Sequence, residues 1–151
     1  MDSLSRIIIK MSKNICIVVS DYYKKISNGL ELGATKFCDQ NSIIYEKFYV
    51  PGALEIGPAI KLISESKNNF DGFVALGCVI RGETSHFDIV INESARAITN
   101  LSLDYSLIIG NGILTVENKQ QAIERSNNDE NNKGYHAALA SSKLIDLKGN
   151  I

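Results

Sequence analysis

Apolar residues gather into four runs along the chain, and the spaces between them are patterned differently. The runs are ICIVVS (15–20), SIIYEKFYV (42–50), GFVALGCVI (72–80) and SLIIGNGILT (106–115). Three are nearly continuous, the pattern of strands covered on both faces. The second alternates more, which puts it nearer an edge. After the first run, Ile26, Leu30, Ala34 and Phe37 recur at helical spacing, with Gly29 and Gly33 on one side, placed to let another backbone approach closely. After the second, Leu54 to Ile63 is mostly apolar, and Pro58 fits a helix there only in its first turn. After the third, Phe87, Val90, Ile91, Ala95, Ile98 and Leu101 form an amphipathic stripe. After the fourth, two helical pieces flank SNNDENNKG (126–134), which reads as a kink or loop.

Alternating strands and helices imply an α/β fold: a four-stranded parallel sheet with right-handed crossovers and helices on both faces. No repeat and no second-domain boundary interrupts the pattern, so residues 14–151 read as one domain. In such folds ligands bind outside the carboxyl ends of the strands. The residues just after 20, 50, 80 and 110 are therefore the candidate site.

The totals narrow the classes. A chain of 151 residues suffices for one ordinary core, and 44% apolar with 22% charged residues is the balance of a soluble globular protein. A formal net charge of −1 gives no bulk attraction to nucleic acid or anionic membrane. Cys16, Cys38 and Cys78 are odd in number and lack metal-ligand spacing, so they read as buried, reduced thiols of a cytoplasmic protein. No metal site is expected. The apolar run Ile7–Ile9 is too short for a signal-peptide core, and no run nears the ~18 residues of a membrane span. Residues 1–13 read as an arm or an added edge strand, and Met11 is an alternative start.

Each strand end carries residues with two readings. Ser85-His86-Phe87-Asp88 fits a capping box, with Ser85 as N-cap and Asp88 reaching back. The free N–H groups of that helix start, beside Gly82, Glu83 and Thr84, would suit a phosphate, or would simply belong to a capped helix. His86 opens the helix; a histidine there can give and take protons near neutral pH, or be an inert surface residue. In YVPGALE, Ala53 is small enough for close approach, and Glu55 either offsets the helix dipole or accepts hydrogen bonds from hydroxyls. In SDYYKK, a tyrosine can stack on a flat heterocycle or begin the core of a helix. Arg125 and Lys133 are solvated charges or phosphate ligands, Arg125 being better suited because its fork pairs two oxygens.

VPGALE, GCVIRGETSHFD, NGILTVENKQQAIERS and NKGYHAALA occur in one order and spacing, and together they resemble the lumazine synthase family over roughly residues 14 to 148. The resemblance implies a three-layer, flavodoxin-like subunit, pentamers that in some members build a sixty-subunit shell, and riboflavin synthase as a partner. It implies condensation of 5-amino-6-(D-ribitylamino)uracil with 3,4-dihydroxy-2-butanone 4-phosphate, with loss of phosphate and water and without metal or organic cofactor. By the same resemblance His86 is the acid/base, and Glu83, Thr84, Arg125 and Lys133 hold the phosphate. Tyr22 stacks on the uracil, Ala53, Leu54 and Glu55 hold the ribityl chain, and Cys78, Val79 and Ile80 read the pyrimidine. Asn111 would be contributed by the neighbouring subunit.

The chain also departs from the family pattern. Asn111 stands where many members have phenylalanine, Tyr22-Tyr23 where many have Phe-Asn, and Pro58 one residue later than usual. Two other readings remain: a protein of this fold that binds lumazine or flavin without making it, and a shell protein that encloses a partner.

Overall fold

The computed structural model describes residues 13–151. The expected N-terminal arm thus lies outside the described residues, apart from Lys13. Four strands, β1 (Asn14–Ser20), β2 (Ile44–Val50), β3 (Gly72–Ile80) and β4 (Ile109–Val116), form one sheet in the order β2-β1-β3-β4. Every pairing is parallel. The helices are α1 (Lys24–Gln40), α2 (Ile56–Ser64), α3 (His86–Asp104), α4 (Lys119–Ser126) and α5 (Lys133–Gly149), with a short 3₁₀ turn at Ala53–Glu55 before α2.

The near-continuous apolar runs explain the layering. In β1, Ile15, Ile17 and Val19 face α1 and α5, while Cys16 and Val18 face α2 and α3, and all five are fully buried. Burying such side chains is worth about 1.5–3 kcal/mol each before chain entropy is charged against it. The result is a three-layer α/β sandwich of flavodoxin-like type. The alternating run, β2, is an edge strand as its pattern implied, and Glu31 of α1 ties it down by pairing with Lys47 at 3.0 Å and accepting from the Tyr49 hydroxyl.

Two strands begin later than their apolar runs. Ser42 and Ser106 both have φ of 55°, the left-handed conformation that ends a helix and cannot continue a strand. After Ser42, the Ile43 N–H closes back on the Cys38 carbonyl at 2.9 Å; after Ser106, the Leu107 N–H closes on Leu101 at 3.3 Å. The buried stripe of α3 runs through Ser94 rather than Ala95, which is exposed. Ser94 is accommodated because its hydroxyl donates to the Ile91 carbonyl. Pro58 falls in the first turn of α2, where its missing N–H costs nothing.

The glycines of α1 serve close packing, against backbone at Gly29 as expected but against a side chain at Gly33. A Cβ at Gly29 would lie 2.3 Å from the Ser126 carbonyl oxygen, and one at Gly33 2.0 Å from Asn132 Oδ1. Asn132, read from sequence as part of a polar loop, is in fact buried. Its side-chain oxygen caps α5 by accepting from the Tyr135 N–H, and its Nδ2 donates to the carbonyls of Gly29, Ser126 and Asn127. One side chain thus joins α1, the end of α4 and the start of α5.

Candidate active site

The chain runs from β1 outward to β2, then crosses back past β1 to β3 and β4. The loops after β1 and β3 therefore diverge, which opens a crevice at their carboxyl ends. A cavity of about 430 Å³ lies there. Tyr22 and Tyr23 line it from the end of β1; Pro51 to Glu55 from the end of β2; Cys78, Val79 and Ile80 from β3 itself; and Gly82, Thr84, His86, Phe87 and Val90 from the turn and helix that follow.

Nine of the sequence-derived candidates thus line one space: Tyr22, Ala53, Leu54, Glu55, Cys78, Val79, Ile80, Thr84 and His86. Glu83 sits in the same turn but does not line the cavity. Asn111, Arg125 and Lys133 do not line it either. Asn111 is the third residue of β4, beside mid-strand Ala75, so the carboxyl end of β4 is six residues nearer Val116 than position 110 suggested. Its side-chain oxygen accepts the Ile113 N–H at 3.0 Å along the open edge of the sheet. Arg125 ends α4 and donates to the Gln121 carbonyl at 3.0 Å, and Lys133 begins α5, exposed.

The cavity wall is largely apolar, with polar groups at a few points. Tyr22 is 73% exposed, and its ring and that of Tyr23 pack nearly perpendicular with centroids 5.0 Å apart. Burial pushes the Cys78 thiol up to about 11 from an ordinary 9.0, so it stays neutral at physiological pH and offers shape rather than a nucleophile. Tyr23 is also raised, chiefly by burial and then by the neighbouring Tyr22 and Cys78.

The helix start differs from the capping box expected of it. Ser85 already has helical backbone angles (φ −68°, ψ −3°), so its side chain is not presented to the following N–H groups and makes no cap. Asp88 does not reach back; its carboxylate lies 3.6 Å from Arg81. The His86 N–H points to Thr84 Oγ1 at 3.4 Å. His86 itself is exposed and lines the cavity. The sequence reading missed Phe87 and Val90 as lining residues, although the amphipathic stripe of α3 contained both; Tyr23, named there only as a departure from the family pattern, lines the cavity as well. The reading also missed the cluster of Arg81, Asp88 and Glu117 beside the turn, where Arg81 Nε meets Glu117 Oε2 at 2.6 Å. Charges 36 residues apart give no local signal.

Among the described residues no group of three or more His, Cys, Asp or Glu side chains is arranged to hold a metal ion, and no helix is long and apolar enough to cross a membrane.

Comparison with known proteins matches residues 12–149 to the 6,7-dimethyl-8-ribityllumazine synthase family. The Bartonella tribocorum 6,7-dimethyl-8-ribityllumazine synthase is 50% identical over 135 residues, covering 89% of this chain and 89% of the relative. The Rhizobium meliloti 6,7-dimethyl-8-ribityllumazine synthase 1 is 48% identical over 139 residues, covering 89% and 91%. The Agrobacterium fabrum 6,7-dimethyl-8-ribityllumazine synthase is 47% identical over 143 residues, covering 91% and 97%.

Proposed function

The chain belongs to the 6,7-dimethyl-8-ribityllumazine synthase family and is a transferase of riboflavin biosynthesis, and from that premise we propose that it performs the family's condensation in the cavity described above, with His86 moving the protons. The substrates are 5-amino-6-(D-ribitylamino)uracil and 3,4-dihydroxy-2-butanone 4-phosphate. The observation that carries this assignment of residues is the convergence of His86 and Thr84 with Tyr22, Ala53–Glu55 and Cys78–Ile80 on one cavity at the carboxyl ends of β1, β2 and β3.

The ring of the uracil stacks on Tyr22, and backbone groups of Cys78, Val79 and Ile80 take its edge, while Ala53, Leu54 and Glu55 hold the ribityl hydroxyls. Phosphate lies against the turn of Glu83 and Thr84. The ring amine attacks the ketone, and water leaves as the imine forms. Loss of a carbon-bound proton expels phosphate. The ribitylamino nitrogen then closes the second ring on the remaining carbonyl, and a second water leaves. Each stage needs a proton given or taken beside the bond that changes, and His86 has the position and chemistry for it. Holding both substrates in one apolar pocket supplies much of the acceleration, since an aromatic amine and a ketone condense readily once aligned.

Asn111, Arg125 and Lys133 fit this scheme as contributions from a neighbouring subunit. A pentamer has head-to-tail contacts, so each interface joins two different patches and could close the open cavity of one copy with the β4 edge and α4–α5 junction of the next. The assembly works in the cytoplasm and passes its product to riboflavin synthase. Mixing both substrates and following lumazine absorbance tests the reaction. Substrate binding without product would instead favour a carrier protein of this fold. Co-refolding His86→Ala with Arg125→Ala tests the sharing: in a random pentamer about a quarter of the interfaces pair an intact His86 with an intact Arg125. Activity at low phosphate-substrate concentration should exceed the mean of the separate mutants, and no excess despite proven co-assembly refutes the shared site.

A further inference from the structure

The turn that carries Thr84 and His86 has little of its own to hold it. Residues 81–86 are all exposed, and its internal bonds are the long contact from the His86 N–H to Thr84 and the closing bonds of the Asp88 and Ile89 N–H groups on Ser85 at 3.1 and 3.4 Å. Arg81 spans it from outside. Its backbone N–H donates to the Val116 carbonyl at 3.0 Å, which keeps it in register with β4. Its Nε and Nη2 donate to the two oxygens of Glu117 at 2.6 and 3.4 Å, and its Nη1 lies 3.6 Å from Asp88. The guanidinium carbon stands 4.4 Å from the centre of the Phe87 ring. Glu117 is held in turn, because its N–H donates to the Gln121 side chain at 2.8 Å.

One guanidinium therefore joins the residue after β4 to the two residues that follow His86. We propose that Arg81 is a positioning residue: it clamps the first turn of α3 to the carboxyl ends of β3 and β4, and so fixes His86 over the cavity. This rests on His86 being the proton-transfer group. An exposed ion pair adds little to stability, but a displacement of about 1 Å at a reacting group can cost up to ~10²-fold in rate. The alternative is that Arg81 grips the substrate phosphate directly. The geometry disfavours it, because the guanidinium is already engaged by two carboxylates and an incoming phosphate would meet their charge. Fork geometry also matters: a lysine has one point charge and cannot span Glu117, Asp88 and the Phe87 ring together.

The experiment is steady-state kinetics on the assembled enzyme for Arg81→Met, Arg81→Lys and Glu117→Gln, with Arg81→Met repeated in the His86→Ala background and thermal melting as a control on folding. The clamp predicts a fall in kcat of roughly 10-fold for Arg81→Met, a similar fall for Arg81→Lys, a smaller one for Glu117→Gln, and KM for the phosphate substrate within about twofold. In the His86→Ala background the Arg81 change should cost less than about twofold. Restoration by lysine, a selective rise in KM for the phosphate substrate, or tighter phosphate binding in Glu117→Gln would overturn it in favour of a direct phosphate ligand. An equal fall in both backgrounds, with His86→Ala itself slow, defeats the Arg81 assignment alone. Wild-type turnover in His86→Ala defeats the reading of the site as a whole.

Discussion

Replacing Asn132 should damage both stability and phosphate-substrate binding, and the two effects have one cause. The side chain is 2% exposed. Its oxygen accepts the Tyr135 N–H at 3.0 Å as the cap of α5, and its two amide protons are shared among three carbonyls: Gly29 at 3.0 Å, Ser126 at 3.2 Å and Asn127 at 2.9 Å. Loss of an N-cap costs about 1 kcal/mol. Each amide proton withdrawn leaves a buried acceptor short of a partner, at about 1–1.5 kcal/mol. Asn132→Ala should therefore lose about 3–4 kcal/mol, which for a chain of this size lowers the melting midpoint by about 10 °C at fixed protein concentration. Asn132→Asp separates the two contributions. Aspartate is as good an N-cap as asparagine, but its second oxygen would face three carbonyls in a buried place, so it should be no better than alanine. Because Arg125 ends α4 and Lys133 begins α5 on either side of this junction, KM for the butanone phosphate should rise several-fold in both variants. A midpoint within ~2 °C of wild type for Asn132→Ala, or recovery in Asn132→Asp, would refute the argument from the amide protons.

Three further outcomes follow from the same reading. Tyr22→Ala should raise KM for the ribitylaminouracil far more than for the butanone phosphate, by an amount equivalent to about 1–3 kcal/mol of stacking; equal losses for both substrates would make Tyr22 structural. Gly134→Ala puts a Cβ 1.9 Å from the Leu30 carbonyl oxygen, which backbone must yield to, so denaturant titration should register a loss of at least about 1–3 kcal/mol, whereas Gly149→Ala, with open space around it, should not. Burial and the charge of Glu46 raise the Cys16 thiol to about 12, and burial with Asp39 raises Cys38 to about 11. Above an ordinary 9.0 the unfolded chain releases these protons while the folded chain keeps them, so stability should be level below that pH and fall from 9 towards 11. Urea midpoints across that window check the slope, and Cys16→Val should flatten it.

The sequence by itself determined the layers of this protein and most of the residues that line its candidate site. Runs such as ICIVVS and GFVALGCVI have no polar face to offer solvent and became central strands; SIIYEKFYV alternates and became one edge, the near-continuous run of β4 forming the other. Strand ends are where parallel sheets bind ligands, and so the tyrosine pair, Ala53, Glu55, Thr84 and His86 could be picked out from the pattern alone, while the family resemblance added Leu54 and Cys78–Ile80; all of them line one cavity. Element ends were less legible. Whether Ser42 or Ser106 continues a strand depends on which helix carbonyl its neighbour closes on, and whether Ser85 caps depends on its backbone angles; residue type leaves both open. What only the tertiary structure decided lies in contacts between distant segments. Asn132 stood in a run of polar residues that looks solvated, and becomes a buried pin only because Gly29 and Gly33 let α1 approach it. Arg81 and Glu117, 36 residues apart, meet because β3 and β4 pair in register. Local pattern records which face of an element is apolar, but hydrogen bonds between elements depend on where packing brings their ends, and no single segment carries that information.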